Sequence, residues 1–462
     1  MKKLVLICGP ITSRSGYGNH ARDIFKALYK LDKYDVKIMD VRWGECPRNA
    51  LESEDTTGIL SIMKDSICEM TPKGIKLDRQ PDYYFDVRIP NEFANFGKIN
   101  IGVTAGVETT NVSAAFLEGC NRMDCTIAVS EHSKSGFVKS VYDKMQQAPD
   151  GSQQKVASIK LEKPMEVLFE GLEEDKFFSK KSSELSDVFK DTLDNITESF
   201  CYLMVGQWCK GGYGEDRKDI SRGLKIFLET FANRPSPPAL ILKTSGAGFS
   251  ILDREDCLNK IRAVKQMFPD DIKLPNIYLL HGDLTDDEMN DLYNHPKVKC
   301  FYLITHGEGF GRPLLEASFT GLPIITSNWS GPVDFLNSEK SLLVGGSLEK
   351  VPRSVVWKDI ITENSEWFVA DEQQTANSLN FVYTNYNKVK KNALDLMKVN
   401  REKFTLDKMS EKLGKIIDKC DDGSLVPKQV KLQLPKLKKV GEKNKSSELP
   451  KLKLPKLKKV TQ

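Results

Sequence analysis

The stretch HGEGFGRPLLEASFTGLPIIT, from His306 to Thr326, places a glycine-rich loop between a strand and a helix. The run before it, KCFYLIT, is apolar, which is typical of a strand in a parallel sheet covered on both faces. Arg312 and Pro313 begin the helix, because proline is tolerated at a first helical position. Gly321 ends it before the next strand. The free N–H groups of the loop and of the first helical turn predict an anion site suited to a phosphate.

Two acids, Glu308 and Glu316, flank this loop, although carboxylates would repel a phosphate. In isolation the two acids have a simpler explanation, in which Glu316 interacts with the helix terminus and Glu308 is a solvated loop acid. Carboxylates also accept hydrogen bonds from hydroxyl groups and are good bidentate partners for a vicinal diol. A ligand with a ribose diol, a central pyrophosphate and a terminal sugar fits the whole layout. The pattern therefore predicts a nucleotide-sugar site.

The rest of the chain alternates apolar strands with helical patterns, which predicts an α/β class with doubly wound sheets. At 462 residues the chain is too long for one ordinary core. We predict an acceptor-side domain over 1–195, a nucleotide-sugar domain over 196–385, closing helices over 386–420 and a tail over 421–462. Two such sheets enclose a cleft at the carboxyl ends of their strands, where ligands bind in open α/β folds.

Composition is that of a globular protein, with 40% hydrophobic and 29% charged residues. No apolar run reaches the roughly 18 residues that a membrane span needs. The opening MKKLVLICGP is better explained as a buried strand than as an export signal, since no small-residue cleavage site follows. The ten cysteines are scattered without metal-binding spacing. These features predict a cytoplasmic protein with reduced thiols.

The end of the chain differs in charge from the rest. Residues 427–462 contain twelve lysines and two glutamates, a net charge of +10, which leaves −6 on residues 1–426. Recurrent proline prevents a long helix and the lysines repel one another, so the segment is predicted to be disordered. It is either a solvated spacer or a nonspecific contact for an anion such as DNA, anionic lipid or acidic glycan.

The order of motifs resembles glycosyltransferase family 4, whose members are retaining enzymes with the GT-B fold. HGDLTDDEMNDLY, the strand KCFYLIT, the pattern E-G-F-G-x-P-x-x-E and G-x-P-I-I follow one another in the family order. Weaker similarity lies in VLFEGLEEDKF, DCTIAVSEHSKSGF and FTLDKMSEKLGKII. The resemblance is specific over 275–336, extends loosely over about 1–420, and implies two Rossmann-like domains facing across a cleft.

The resemblance also implies roles for the residues of the loop. Glu316 would bind the ribose hydroxyls, and Glu308 would hold the donor sugar near its reacting carbon. The backbone N–H groups of Gly309, Phe310 and Gly311 would meet the sugar or the phosphate.

Basic residues of the same domain would hold the diphosphate. Lys218 matches the family lysine for this role. Gln207 stands where the family has an arginine, so Arg217 or Lys210 is the candidate to replace it.

In the first domain the loop SGYGNH, with Gly16 and Gly18, opens a helix as the family's glycine loop does, although a plain tight turn explains it equally well. The family also has a histidine at the end of a first-domain strand. The matching segment GVTAGVETT has none, and Glu108 is its nearest polar candidate for contact with donor or acceptor.

The implied reaction is a retaining, front-face displacement in which the leaving diphosphate, stabilised by Lys218 and loop N–H groups, helps to deprotonate the acceptor hydroxyl. The nucleotide-diphosphate sugar is a co-substrate, and no cofactor is expected. No metal is expected either, because the sequence contains no Asp-x-Asp. The acceptor is a glycan or another hydroxyl compound. Alternatives are a transferase for modified DNA bases, another GT-B enzyme such as a nucleotide-sugar epimerase or a phosphorylase, and a binding protein without activity.

Overall fold

The structure, a computed structural model, describes residues 2–52, 57–72, 74–147, 152–208, 211–246 and 248–426. The predicted tail beyond Val426 and the candidate Lys210 lie outside these ranges.

The strands in the described ranges are β1 (Lys3–Gly9), β2 (Tyr34–Asp40), β3 (Met70–Thr71), β4 (Gly74–Ile75), β5 (Tyr83–Val87), β6 (Ile99–Thr104), β7 (Cys125–Ala128), β8 (Tyr142–Gln147), β9 (Gln153–Ile159), β10 (Met165–Val167), β11 (Cys201–Val205), β12 (Ala239–Lys243), β13 (Ile277–Leu280), β14 (Val298–Leu303), β15 (Ile324–Ser327), β16 (Leu342–Val344), β17 (Gly346–Lys350) and β18 (Glu366–Ala370). The α-helices are α1 (Gly16–Lys30), α2 (Ile59–Asp65), α3 (Ala114–Arg122), α4 (Glu131–Lys139), α5 (Asp187–Asp194), α6 (Ile220–Phe231), α7 (Ile251–Lys265), α8 (Asp286–Asn294), α9 (Arg312–Phe319), α10 (Glu372–Thr384), α11 (Tyr386–Lys403) and α12 (Leu406–Asp422).

Two six-stranded parallel sheets organise the described chain, which confirms the predicted doubly wound α/β class. The first has the order β10-β7-β6-β5-β1-β2, and the second has the order β13-β12-β11-β14-β15-β16. The order reverses between β1 and β5 in the first sheet and between β11 and β14 in the second. Ligands bind outside the carboxyl ends of strands at such switch points. The loops that follow β1, β11 and β14 are therefore the ones that the topology offers to a ligand.

The helix α9 begins and ends as its sequence predicts. Gly311 precedes it with a φ of 92°, a backbone conformation that favours glycine, and Pro313 lies in its first turn. Gly321, with a φ of 70°, follows its last turn. The quoted stretch thus forms the predicted strand, loop and helix.

The last helix, α12, returns to the first domain. Its side chains Leu406, Met409 and Leu413 are buried in one cluster with apolar residues of β1 and α1. The Ser410 hydroxyl donates to the carbonyl of Ala27 at 2.8 Å. The core of the first domain is therefore completed by residues from the far end of the chain.

Helix α5 lies in the polar segment 179–199, at the predicted boundary between the two domains. Its residues Phe189 and Leu193, with Ile196 just after it, are buried in the cluster that surrounds the second sheet. The domain boundary between residues 195 and 196 stays a prediction. Helix α5 precedes that boundary in the chain but packs on the second domain. Because residues 179–199 are mostly polar, the sequence did not predict that these three apolar side chains would be buried.

None of the helices in the described ranges combines the length and the apolar character needed to cross a bilayer.

Replacing Leu413 by alanine should lower the free energy of unfolding by about 3 kcal/mol, because it leaves a cavity between α12 and the first sheet. Denaturant unfolding monitored by circular dichroism measures the effect. Lys415→Ala, at an exposed position of the same helix, is the matched control. Equal midpoints for the two variants would contradict the burial of α12.

Candidate active site

A cavity of about 570 Å³ lies between the two sheets at their switch points. The first domain lines it with residues after β1, β2 and β6, and the second with residues after β11, β12 and β14. Its volume is in the range of small-molecule sites. Eight of the ten candidate residues line this cavity together: Gly16, Glu108, Arg217, Lys218, Glu308, Gly309, Phe310 and Gly311. The other two, Gly18 and Glu316, are not among its lining residues.

The glycine loop touches the backbone of the first domain. A Cβ at Gly307 would lie 2.4 Å from the carbonyl oxygen of Glu108, and one at Gly309 would lie 2.7 Å from that of Ala105. The Ser130 hydroxyl donates to the carbonyl of Gly309 at 2.6 Å. The glycines at 307 and 309 are therefore required by the close approach of the two domains, a reason that the sequence did not indicate.

The amides of this loop are left to a ligand. Within the described ranges, the N–H groups of Gly309, Phe310 and Gly311 donate to no protein acceptor. The Phe310 ring is buried and packs on Phe335, with ring centroids 5.2 Å apart. Phe310 thus has only its backbone available to a ligand.

Glu308 and Lys218 form an ion pair inside the cavity, and both side chains are largely buried. The Glu308 amide donates to the Ser330 hydroxyl oxygen at 2.9 Å. The segment before Lys218 is fixed because the Arg217 carbonyl accepts the amide of His306 at 3.1 Å. The loop after β14 and the loop before α6 therefore hold a carboxylate and an ammonium group next to each other.

Arg217 and Glu108 form a second pair, which crosses the cleft. The Arg217 guanidinium donates to a Glu108 carboxylate oxygen at 2.5 Å, and both side chains remain partly exposed. Gln207, at the position of the family arginine, also lines the cavity, and its amide donates to the carbonyl of Gly246 at 2.7 Å. Gln207 thus contributes only a neutral amide, and Arg217 brings a guanidinium into the cavity.

His306 fixes the start of the loop from behind. Its Nδ1 lies 2.7 Å from the carbonyl oxygen of Phe368, and its Nε2 lies 3.0 Å from that of Gly214. The ring stacks on Trp367 with centroids 3.9 Å apart. This buried histidine therefore ties the glycine loop both to the segment that carries Lys218 and to β18.

Glu316 is buried beside the cavity rather than on its wall. Its Oε2 accepts the Tyr293 hydroxyl at 3.0 Å, and its Oε1 accepts Arg312 Nε at 3.2 Å. Burial raises the pKa of Glu316 to about 7, against the opposing effect of the Arg312 charge. Tyr293 was not among the predicted residues, although its position near the end of α8 is part of the motif order.

Arg312 is the charged centre of the site, a role that the sequence analysis did not predict. Its guanidinium forms ion pairs with Asp23 of α1, with Glu316 at 3.2 Å and with Glu170 at 3.8 Å. Burial raises the pKa of Glu170 to about 8, although Arg312 lowers it. The four-residue spacing of Arg312 and Glu316 on one helix was a visible signal, but the partners from the first domain were not.

The two predicted glycines of the first domain have different environments. Gly16 is exposed to the cavity, and a Cβ there would meet nothing within 4 Å. A Cβ at Gly18 would lie 2.3 Å from the carbonyl oxygen of Ser13. Gly18 is therefore needed for packing of the loop after β1, and only Gly16 is open to a ligand.

Part of the chain matches a known family model. Residues 271–361, which contain the glycine loop and both glutamates, match the family model described as glycosyl transferases group 1. The protein is a transferase enzyme. A comparison with curated protein sequences finds no match.

Solved glycosyltransferases share the fold of this transferase, which confirms GT-B. HepE of Anabaena, in complex with UDP-glucose, is 12% identical with a TM-score of 0.55 and covers 90% of this chain and 99% of its own. Sucrose-phosphate synthase of Thermosynechococcus elongatus is 10% identical with a TM-score of 0.57, covering 91% and 100%. A UDP-forming trehalose-phosphate synthase of Burkholderia xenovorans is 10% identical with a TM-score of 0.54, covering 90% and 99%.

One group of side chains in the described part of the transferase has metal-ligand chemistry. Ligand atoms of Asp253, Cys257 and His281 lie within 4.8 Å of one another. Asp253 is already engaged, since one oxygen lies 2.7 Å from His281 Nε2 and both accept the amide of Gly246 at 3.0 Å. These contacts hold the loop after β12 in place. Gly246 of that loop lines the cavity, so the group supports one wall of the site.

The stability of the transferase should fall as pH rises from 6.5 to 8.5, and Glu170→Gln should reduce that fall. A carboxyl group whose pKa is raised in the folded state keeps a proton that the unfolded chain has released, so its stabilising effect is lost as pH rises towards about 8. Thermal unfolding at several pH values measures the slope. Glu118→Gln, on the exposed face of α3, is the control, and parallel slopes for both variants would exclude a raised pKa at Glu170.

Proposed function

We propose that this transferase moves a sugar from a nucleotide-diphosphate sugar to an acceptor hydroxyl with retention of configuration. The observation that carries the proposal is the joint position of Glu308, Lys218 and the unpaired amides of residues 309–311 in one interdomain cavity. The amides and the lysine offer positive charge to a diphosphate. The carboxylate beside them can accept hydrogen bonds from sugar hydroxyls.

The donor would lie across the carboxyl ends of β11 and β14. Lys218, the loop amides and Arg217 would hold the diphosphate. Glu308 would accept hydrogen bonds from the sugar, and Glu316 would accept those of the ribose. Gly16 would let the first domain approach the phosphates closely.

Catalysis would rest on stabilising the leaving diphosphate. As the bond between the sugar carbon and the phosphate oxygen breaks, Lys218 and the loop amides bind the developing charge, and a diphosphate oxygen takes the proton of the acceptor hydroxyl. The acceptor oxygen attacks from the same face, so the configuration is retained. Closure of the two domains excludes water from the cavity.

UDP-glucose is the donor that we propose first, because the names of two structural neighbours contain UDP or UDP-glucose. The proposal includes membership of glycosyltransferase family 4, a cytoplasmic location, and activity without a metal or cofactor. Its acceptor is a glycan or another hydroxyl compound. The basic tail lies outside the donor site, as a spacer or a contact for anions.

Replacing Glu316 by glutamine should raise the dissociation constant of UDP roughly 10- to 100-fold, since hydrogen bonds to a charged group are worth about 1.5–3 kcal/mol. Isothermal titration calorimetry measures it. Glu339→Gln, at an exposed position, and a chain ending at Val426 should both bind UDP as the wild type does. Unchanged affinity in Glu316→Gln would exclude the ribose role, and weaker binding by the shortened chain would place the tail in the donor site.

Lys218→Ala should lower kcat by roughly 100- to 1,000-fold, because it removes charge stabilisation that the leaving diphosphate needs. The rate of UDP release from UDP-glucose is the measurement, with Lys391→Ala, at an exposed position of α11, as the control. A change in KM alone would mean that Lys218 binds the donor equally in the ground and transition states.

A further inference from the structure

Trp357 is a large aromatic side chain that lines the cavity yet remains 64% exposed. It lies between β17 and β18, in a segment that extends from the second domain to the first. Soluble proteins usually bury an indole ring at least in part, and an exposed aromatic on a concave wall is typical of a contact surface for a ligand. The question is which ligand it contacts.

The segment around Trp357 is anchored to the first domain by packing and hydrogen bonds. Ile360 packs on the cluster of apolar residues around α3 and α4, and the Ser113 hydroxyl donates to the carbonyl of Asp359 at 2.6 Å. Trp357 and Ile361 exchange backbone hydrogen bonds at 3.1 and 2.9 Å. The neighbours of Trp357 are thus anchored while its own ring is uncovered. Its exposure is not the result of a loose segment.

The first domain supplies a second indole to the same cavity. The Trp43 ring lies 4.5 Å from that of Tyr17, centroid to centroid. The Tyr17 hydroxyl is fixed in turn, 3.0 Å from Thr104 Oγ1 and 3.2 Å from the amide of Ala105. Trp43 therefore presents a ring that is already positioned on the acceptor side of the cleft.

The polar groups of the cavity decide the chemistry of its ligand. Glu108 and Glu308 bring carboxylates that accept hydrogen bonds from hydroxyl groups. The basic residues beside them, Arg217 and Lys218, pair with these carboxylates and are the ones proposed to hold the donor diphosphate. A neutral saccharide has both apolar ring faces, which pack on indoles, and hydroxyl groups, which the carboxylates bind.

We propose that Trp357 and Trp43 form an acceptor subsite and that the acceptor is a neutral saccharide. The inference rests on the proposed glycosyl transfer, because it assigns the acceptor of that reaction. Trp357 packs against a sugar ring and positions it, with its hydroxyl directed towards the donor. Trp357 is accordingly a binding residue for the acceptor and not for the nucleotide.

The test uses the full chain as wild type, Trp357→Ala and Trp357→Phe. UDP release from UDP-glucose is followed with glucose, maltose, cellobiose or sucrose as acceptor, and with a duplex that contains hydroxymethylcytosine. The acceptor KM of a saccharide should rise roughly tenfold in Trp357→Ala, as truncation of a contact aromatic does, with kcat within about twofold. Trp357→Phe should restore most of the affinity, and the dissociation constant of UDP-glucose should not change.

Phe381→Ala is the matched control, since Phe381 is a 40% exposed aromatic on α10 that is not among the residues lining the cavity. An unchanged saccharide KM in Trp357→Ala would overturn the inference. So would a weaker affinity of that variant for UDP-glucose, which would assign Trp357 to the donor. Transfer to the modified duplex with none to a saccharide would overturn it as well.

A failure of the donor proposal can be told apart from a failure of the acceptor subsite. If the wild type binds no UDP-glucose, the proposed function is wrong for this donor, and saccharide binding is then measured directly by saturation transfer in proton NMR. Signals from maltose or cellobiose that disappear in Trp357→Ala and persist in Phe381→Ala would support the subsite. Absence of saccharide binding by the wild type would overturn it.

Discussion

The burial of the Arg312 guanidinium is the constraint on which the arrangement of the two domains depends. A guanidinium cannot lose its charge, so its removal from water must be offset by acidic partners with good geometry. One of these carboxyl groups, that of Glu316, lies on its own helix, whereas those of Asp23 and Glu170 belong to the first domain. The partners can surround Arg312 only when the cleft is closed, and the closed cleft is what brings the glycine loop against residues 105–108.

Charge is balanced within the site before any donor is considered. Lys218 is paired with Glu308, and Arg217 is paired with Glu108 across the cleft. A donor diphosphate would therefore exchange one set of ion pairs for another and would gain little from charge alone. Affinity would depend instead on geometry, that is, on hydrogen bonds from the loop amides of residues 309–311, for which the described residues provide no acceptor. Such a site discriminates between anions by shape and hydrogen-bond direction.

Local patterns in the sequence were sufficient for much of the fold and for part of the site. Apolar runs marked the strands of both sheets, and Pro313 and Gly321 marked the ends of α9, because these signals act within a few residues. The contacts of Arg312 with Asp23 and Glu170 join residues far apart in the chain, and no local pattern predicts them. The same holds for Gly307 and Gly309, whose neighbours are in the other domain. It also holds for Trp357, which the segment between β17 and β18 brings to the cavity.

Helix α12 has a consequence for the order in which the molecule forms on the ribosome. The second core includes residues of α10 and α11 and is complete once the chain has been made as far as about residue 403. The first core must wait for α12, so the part of α1 that packs on α12 stays uncovered until that helix has been made. Domains often fold in order from the N-terminus, but here the C-terminal one completes its core first. The nascent first domain therefore leaves part of its apolar core exposed to water for longer than the second domain does.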